Sequence, residues 1–402
     1  MAENPRAHRR PRAIRELYYI THVENLPSIL NNGIFSHKLI LEKGIKYTPI
    51  YNEEIVSRRK AITVPDGRSL WDFANLYFQA RNPMMYKVVC DKPPNNIAVI
   101  GVGKSILERP DVLLTTGNAA HSQTEFPPVS QKAKVLPLIA KEIDRVYWND
   151  ADGSKRKIMA ECLVPDIIPP EYIKTVYFAD YRTMYKVRGA LGKPLHASFM
   201  YEPYTFFQPA RVYKITPNLF VREGDMFFSR AQTLTVSVNT VGIMGKGVAS
   251  RAKYQFPDVY VHYQDLCRAR QLKMGKPALY KREKSFDFEL ADEPESLENA
   301  NNETWFLLFP TKKHWREDAD IKGIEQGLQW ILENYQKEGI KTLALPALGC
   351  GLGNLEWKEV GPLLCSYLSA LKIPAYIYLP AEKEVSNDLL SPEFLLKERT
   401  RF

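Results

Sequence analysis

Apolar residues along this chain cluster into short runs, and the spacing of those runs changes near the middle. In the first half, strand-like runs at 17–20, 98–102, 162–164 and 175–178 are separated by irregular connections bearing Pro and Gly. A short helix is predicted over 25–33, with Pro27 near its start and Gly33 as its stop. Periodicity lapses over 191–209, so a domain boundary is expected near 205–217. The second half is more regular. A strand over 234–239 leads through a Gly-rich turn to a helix from about Val248, and Ile324, Leu328, Ile331, Leu332 and Tyr335 mark another helix. A buried strand over 342–348, a helix over 357–371 and a strand over 375–379 complete the pattern. Strands alternating with helices imply an α/β sandwich with its ligand at the carboxyl ends of the strands. The first half reads as a basic α/β or α+β domain. The polar, acidic stretch 286–303 reads as a solvated loop. The expected organisation is a flexible basic arm over 1–16, a first domain over 17–210 and a second over 217–402.

Composition narrows the class. A chain of 402 residues has room for two ordinary domains, and 45% hydrophobic with 25% charged residues excludes wholesale disorder. No apolar run approaches the roughly 20 residues needed to cross a bilayer, and the opening RAHRRPR lacks a signal-peptide core, so no membrane partner is expected. Five scattered cysteines with no C-x-x-C argue against a disulfide framework or a structural zinc, and point to a cytoplasmic protein. The formal charge of +9 is unevenly placed. Residues 1–215 hold 31 basic and 21 acidic side chains, and 216–402 hold 24 and 25. The excess positive charge lies in the first half, as a domain that meets a polyanion requires.

The second half carries two Gly-rich loops, each after a strand. VSVNTVGIMGKGVAS delivers Asn239 into a turn with Gly242, Gly245, Lys246 and Gly247, and PALGCGLGNL offers Gly349, Cys350, Gly351, Leu352 and Gly353. Glycines let backbone amides approach phosphate oxygens, and a helix N-terminus adds a favourable dipole. Two such loops suit a diphosphate clasped from both sides, with Gly224-Asp225 just upstream. Over nearly all of 218–380 this half resembles the macrodomain family, which binds ADP-ribose. NTVGIMGKGVA, FPTKKHW and LPALGCGLG are similar to its DarG branch, the antitoxin that strips ADP-ribose from DNA bases. That resemblance implies that Asp225 contacts adenine, Asn239 the distal ribose and the two loops the diphosphate, with Lys312 as the essential lysine. An amine near the anomeric carbon can attack it or stabilise the opened sugar. Lys246 competes for that role, with phosphate pairing as its simpler use. Trp315 reads as a core aromatic.

In the first half the local chemistry is sparser. Ala160-Glu161-Cys162-Leu163-Val164 sets one carboxylate at the start of an apolar strand, where it can orient a ribose hydroxyl and stabilise charge developing on the sugar. The ordered set LYYITHVENLPSILNNGI, the pair Arg58-Arg59, YFQARNPMMY, LTTGNAA and AECLVP resembles DarT, a DNA ADP-ribosyltransferase toxin, over about 13–180. The resemblance implies an ADP-ribosyltransferase-like fold with Glu161 catalytic and Arg59 holding the cofactor and the flipped base, Arg58 being the alternative. It implies further that Thr21 and His22 line the nicotinamide-ribose pocket and that the loop 118–126, with Asn118 and His121, faces DNA. Where that family shows a histidine in its opening motif this chain has Tyr19, which can still donate a hydrogen bond to the cofactor. Where the family reads close to D-Y-V-P-F-Y-F, this chain has DFANLYF at 72–78.

Together the halves imply a toxin joined to its antidote. One would move ADP-ribose from NAD to a nucleobase, thymine or guanine, in single-stranded DNA, and the other would remove it, with no metal in either step. Alternatives are a catalytically weak ADP-ribose-binding module on DNA, and a transferase acting on RNA or protein. Contact between the two domains within the chain is left open.

Overall fold

The strand-like runs of the first half pair into one seven-stranded sheet. The computed structural model describes residues 14–51, 53–192, 196–380 and 383–397, so most of the expected arm, 1–13, lies outside the described residues. The chain divides into two units, the first running to Gln208 and including Asp287–Ala300, the second comprising Pro209–Phe286 and the residues from Asn301 onward. The first contains β1 (Glu16–His22), β2 (Ile34–Phe35), β3 (Phe73–Tyr77), β4 (Ile97–Gly103), β5 (Leu113–Leu114), β6 (Glu161–Pro165), β7 (Ile167–Ile168), β8 (Ile173–Phe178) and β9 (Ser198–Tyr201). Seven of these form a sheet in the order β5-β6-β3-β1-β4-β8-β9, and β2 pairs with β7. All pairs in the larger sheet are antiparallel except β8 with β9. β4, an uninterrupted apolar run, is buried along its whole length, as a central strand covered on both faces must be. The register sets Tyr18 opposite Tyr77, and Tyr77 opposite Glu161, so the three side chains share one face across β1, β3 and β6.

The second unit contains β10 (Arg211–Lys214), β11 (Leu219–Glu223), β12 (Thr233–Val238), β13 (Ala278–Tyr280), β14 (Trp305–Pro310), β15 (Leu343–Pro346) and β16 (Ala375–Tyr378). Their order is β10-β11-β16-β15-β12-β14-β13, with the inner pairs parallel and only the two edge strands antiparallel. Leu307 and Phe309 pack with the helices Ile321–Glu338 and Trp357–Leu368, while Phe306 meets Phe256 from the other face. This is an α/β/α sandwich, the fold that the macrodomain resemblance implies. The chain leaves β12 for β14, then crosses back to β15 on the opposite flank of β12. That reversal opens a crevice at the carboxyl ends of β12, β14 and β15. Helix Ile321–Glu338 shows how locally the sequence dictates this frame. Asp320 caps its start, Gly339 at φ 78° ends it, and Ile324, Leu328, Ile331 and Tyr335 form its buried stripe. Among the described residues no helix is long and apolar enough to cross a membrane.

The acidic stretch departs from its expected solvated state. Phe286–Leu290 is a short helix, and Phe286, Asp287, Leu290 and Ala291 are buried. From Asp287 the segment belongs to the first unit, where Leu290 and Ala291 are buried, whereas Phe286 belongs to the second and packs on Phe256.

Glycine inside a helix ordinarily weakens it by about 1 kcal/mol relative to alanine. Gly327 should behave in the opposite sense, since a Cβ there would lie 2.4 Å from the Phe309 ring. Gly327→Ala is expected to destabilise the second unit by about 1–3 kcal/mol in urea unfolding; a gain in stability would show that the helix can lift off β14.

Candidate active sites

Two elements distant in sequence converge on Glu161. This residue begins β6 and is wholly buried. Its backbone N–H donates to Thr115 Oγ1 at 2.7 Å, and its carbonyl accepts from Thr115 N at 2.8 Å, which ties the strand start to the loop after β5. That same loop turns the Ala119 amide onto Glu161 Oε1 at 2.8 Å. From the last turn of helix Glu53–Lys60, Arg59 Nη2 donates to Oε2 at 2.9 Å. Burial works against the charge on Arg59, but Glu161 and Tyr77 more than offset it, so the guanidinium is held charged well beyond its ordinary range. The Tyr77 hydroxyl is likewise pushed up, well above the usual tyrosine value, by burial and then by the neighbouring carboxylate, so it is held neutral. A carboxylate has about four acceptor positions, and these donors leave capacity for a substrate hydroxyl or a developing cation.

The arginine pair separates cleanly. Arg59 meets Glu161, whereas Arg58, 57% exposed, pairs with Glu293. Tyr19 and Thr21 alternate to the opposite side of β1 from Tyr18 and line a cavity of about 50 Å³ with His37, Tyr47 and Tyr51. Burial, then Tyr47, raises the Tyr19 hydroxyl to about 12. Tyr51 links this cavity to the buried pair, since it feels the field of both Tyr19 and Arg59. His22 lies outside that lining and accepts from Glu24 N through Nδ1 at 3.3 Å, with its pKa lowered chiefly by burial. An accepting Nδ1 is unprotonated, so the 3.5 Å approach of Glu24 is not an ion pair. Asn118 and His121 line a second, larger cavity of about 190 Å³ with Lys155, Arg156, Asp292 and Glu293.

In the second unit three strand ends supply the crevice. Beyond β12, the Asn239 side chain accepts from Val241 N and Tyr263 OH and donates to the Ile243 carbonyl at 2.6 Å, so its amide is committed to shaping the first Gly-rich loop. Gly242, Gly245, Lys246 and Gly247 carry this turn into helix Gly247–Gln255, with Lys246 exposed at its cap. Beyond β15, Gly349 takes φ 79°, and a Cβ on Gly353 would lie 2.5 Å from the Gly349 carbonyl oxygen, which fixes the second loop as a tight coil of backbone. Gly351 lies within it and Leu352 is exposed on it. Cys350 points into the core, its thiol raised to about 12 by burial, so only its backbone can face the crevice. Beyond β14, Lys312 Nζ donates to the carbonyls of Glu317 and Leu352 at 2.6 and 3.0 Å, beside the second loop. Thr240 ties the first loop to the same segment through its bonds to the Lys313 carbonyl. Asp225 caps a short turn and accepts from Arg251 at 2.6 Å. Among the described residues no cluster of three or more His, Cys, Asp or Glu is placed to hold a metal.

Sequence reasoning missed Tyr77, Lys155, Arg156, Asp292, Arg251 and Tyr263. For Tyr77 the signal was available in principle, since alternation along β3 and β6 puts it opposite Glu161. Trp315, expected in the core, is 46% exposed on the Lys312 segment, under the guanidinium of Arg316.

Residues 18–207 match the family described as DarT, ssDNA thymidine ADP-ribosyltransferase, and 303–364 match the Macro domain. The chain is 54% identical over 383 residues to a DNA ADP-ribosyl transferase–DNA ADP-ribosyl glycohydrolase fusion protein of Thermosipho africanus, covering 95% of this chain and 98% of that one. It matches the structure of Thermosipho africanus DarTG in complex with ADP-ribose with a TM-score of 0.89 at 52% identity, over 95% of this chain and all of that one. A DNA ADP-ribosyl glycohydrolase of Thermus aquaticus is 35% identical over 172 residues, covering 42% of this chain and 43% of that one.

The two arginines should differ sharply in what they hold. Removing one partner of a buried pair strands the other charge, so Arg59→Ala is expected to cost about 3–5 kcal/mol in urea unfolding of the first unit. Arg58→Ala breaks a largely exposed pair and should cost at most about 1 kcal/mol. Equal effects would contradict the assignment of Arg59 as the partner of Glu161.

Proposed function

The chain belongs to the family of DNA ADP-ribosyl transferase–DNA ADP-ribosyl glycohydrolase fusion proteins, and on that footing we propose that Glu161 and Arg59 write ADP-ribose onto thymidine in single-stranded DNA and that the crevice around Lys312 erases it. The first unit is the transferase and the second the glycohydrolase. NAD is the substrate of the first, ADP-ribosylated DNA that of the second. The observation that carries this reading is the buried Glu161 carboxylate, gripped by Arg59 and the Ala119 amide. The fixed negative charge favours a reaction that develops positive charge on a sugar.

In the forward step, the bond from the nicotinamide nitrogen to C1′ of its ribose breaks, and its electron pair leaves with nicotinamide. Glu161 stabilises the resulting oxocarbenium-like ribose. A ring nitrogen of the base attacks C1′ and gives its proton to Glu161, while Arg59 holds the diphosphate in place. A paired base is out of reach of such a site, which suits an unpaired or flipped nucleotide and the positive first half. Tyr19 and Thr21 border the cofactor and His22 orients the segment behind them. Asn118 and His121 face the DNA.

In the reverse step, water adds to the same anomeric carbon and the base leaves with a proton. The two Gly-rich loops hold the diphosphate by backbone amides, with Lys246 as a phosphate partner, Asn239 toward the distal ribose and Asp225 toward adenine. Two protons of Lys312 Nζ are engaged by carbonyls, and its third is free to meet the departing base or the opened sugar. Exposed Trp315 offers a face on which a base can stack. NAD as substrate and five scattered cysteines with no C-x-x-C support a cytosolic location.

Mass spectrometry of short single strands incubated with NAD tests this reading. The Lys312→Ala chain should accumulate an ADP-ribose adduct on thymidine, since loss of an acid–base or charge-stabilising group slows removal by about 100-fold or more. Glu161→Gln in that background should lower adduct formation by about 100–1000-fold. Wild-type protein added afterwards should remove the adduct. Labelled ADP-ribose appearing only on RNA or protein would overturn the DNA assignment.

A further inference from the structure

The segment 287–300 carries six carboxylates and no basic side chain, yet it packs with the positively charged first unit. Its flanks are firmly held. Asp287 accepts from Tyr86 OH at 2.7 Å, the Leu290 carbonyl accepts from Trp148 Nε1 at 2.9 Å, and Asp91 accepts from the amides of Glu298 and Asn299 at 2.8 and 3.1 Å. Leu290 and Ala291 are buried. The tip is different. Asp292 reaches Asn118 Nδ2 only at 3.4 Å to each carboxyl oxygen, and Glu293 sits at φ 45°, a left-handed conformation costly for a residue with a side chain. Burial, then the charge of Glu293, raises the Asp292 carboxyl to about 6 even though Lys155 and Arg59 pull it down. The tip's two carboxylates are held by side chains, Asn118 and Arg58, and a strained tip opens before its flanks.

Its partners are what give the tip meaning. Asn118 precedes Ala119, whose amide grips Glu161, and Arg58 precedes Arg59. The tip thus bridges the two elements that frame the buried carboxylate, and it borders the cavity of about 190 Å³ that Lys155 and Arg156 also line. Groups that donate to a carboxylate donate equally to a phosphate oxygen, and a cationic rim beside a base-modifying site is where a nucleic-acid backbone runs.

We propose that Arg58, Asn118, Lys155 and Arg156 form the phosphate-binding rim of the single-stranded DNA site, and that Asp292 and Glu293 occupy it as a tethered competitor which DNA displaces. The assignment of the rim to DNA rests on the transferase reading above. A tethered competitor acts at an effective concentration on the order of millimolar, so it can hold the rim closed although each contact is weak. Displacement leaves the flanks in place and frees Arg58 and Asn118 without disturbing Arg59 and Glu161. The strap therefore sets the affinity for DNA, not the chemistry.

Fluorescence anisotropy of a labelled thymidine-rich single strand, measured on the full chain without NAD, tests this apart from any catalysis. The Asp292→Asn/Glu293→Gln chain should bind the strand about tenfold more tightly than the parent, and Glu293→Gln alone, the milder change, should move in the same direction. Adding Arg58→Ala to the double variant should weaken binding and flatten its salt dependence, as loss of a phosphate contact requires. Unchanged or weaker binding by both strap variants would overturn the proposal. So would tightening toward NAD alone, which would make the strap a guard of the dinucleotide pocket. Failure of the transferase reading would show separately, as tight strand binding with no adduct when NAD is supplied.

Discussion

A wholly buried carboxylate survives in a fold only if its charge is met, because moving it out of water costs several kcal/mol that its partners must offset. The first unit is arranged around meeting that cost at Glu161. Strand β6 brings the residue in, the loop after β5 turns the Ala119 amide toward it, and the helix Glu53–Lys60 ends with Arg59 against it. Tyr77, directly opposite on β3, closes the same face. The groups that hold the carboxylate are also the neighbours of those that hold the acidic segment 287–300. The donors to the buried carboxylate and the donors to the acidic segment are thus adjacent residues of the same two elements.

The second unit follows a different logic. The Asn239 side chain shapes the first loop, Cys350 lies in the core and Asp225 holds Arg251, while Lys312 is supplied from the end of β14 beside the second loop. Attaching ADP-ribose calls for a fixed negative charge beside a reacting sugar. Removing it calls for a cradle that recognises the diphosphate whatever base is attached. One chain carries both, so the second site is covalently linked to the first and meets its products at a high effective concentration.

Much of this was legible from the residues. The strands and helices of the second half announced themselves by spacing, and the Gly-rich loops by their place after strands. Glu161 stood out as one carboxylate in an apolar run. What stayed hidden depended on contacts across long stretches of chain. Arg58 and Arg59 are indistinguishable in sequence, and about 100° of helical rotation decides which one faces a strand 102 residues away. Segment 286–303 reads as solvated because composition averages over position, while Phe286, Leu290 and Ala291 are buried. Trp315 looked like core because large aromatics usually are, yet the short turn after Lys312 leaves it at the surface.

One chain both writes and erases the same mark, and the decisive measurement is the count of nicotinamide released by the wild-type chain on a limiting amount of single-stranded oligonucleotide. If the second unit restores the acceptor, release should continue well beyond one nicotinamide per acceptor base and should stop when the oligonucleotide is omitted. Release that halts at one per acceptor base would mean that the mark is never removed, and release indifferent to the oligonucleotide would mean that DNA is not the acceptor.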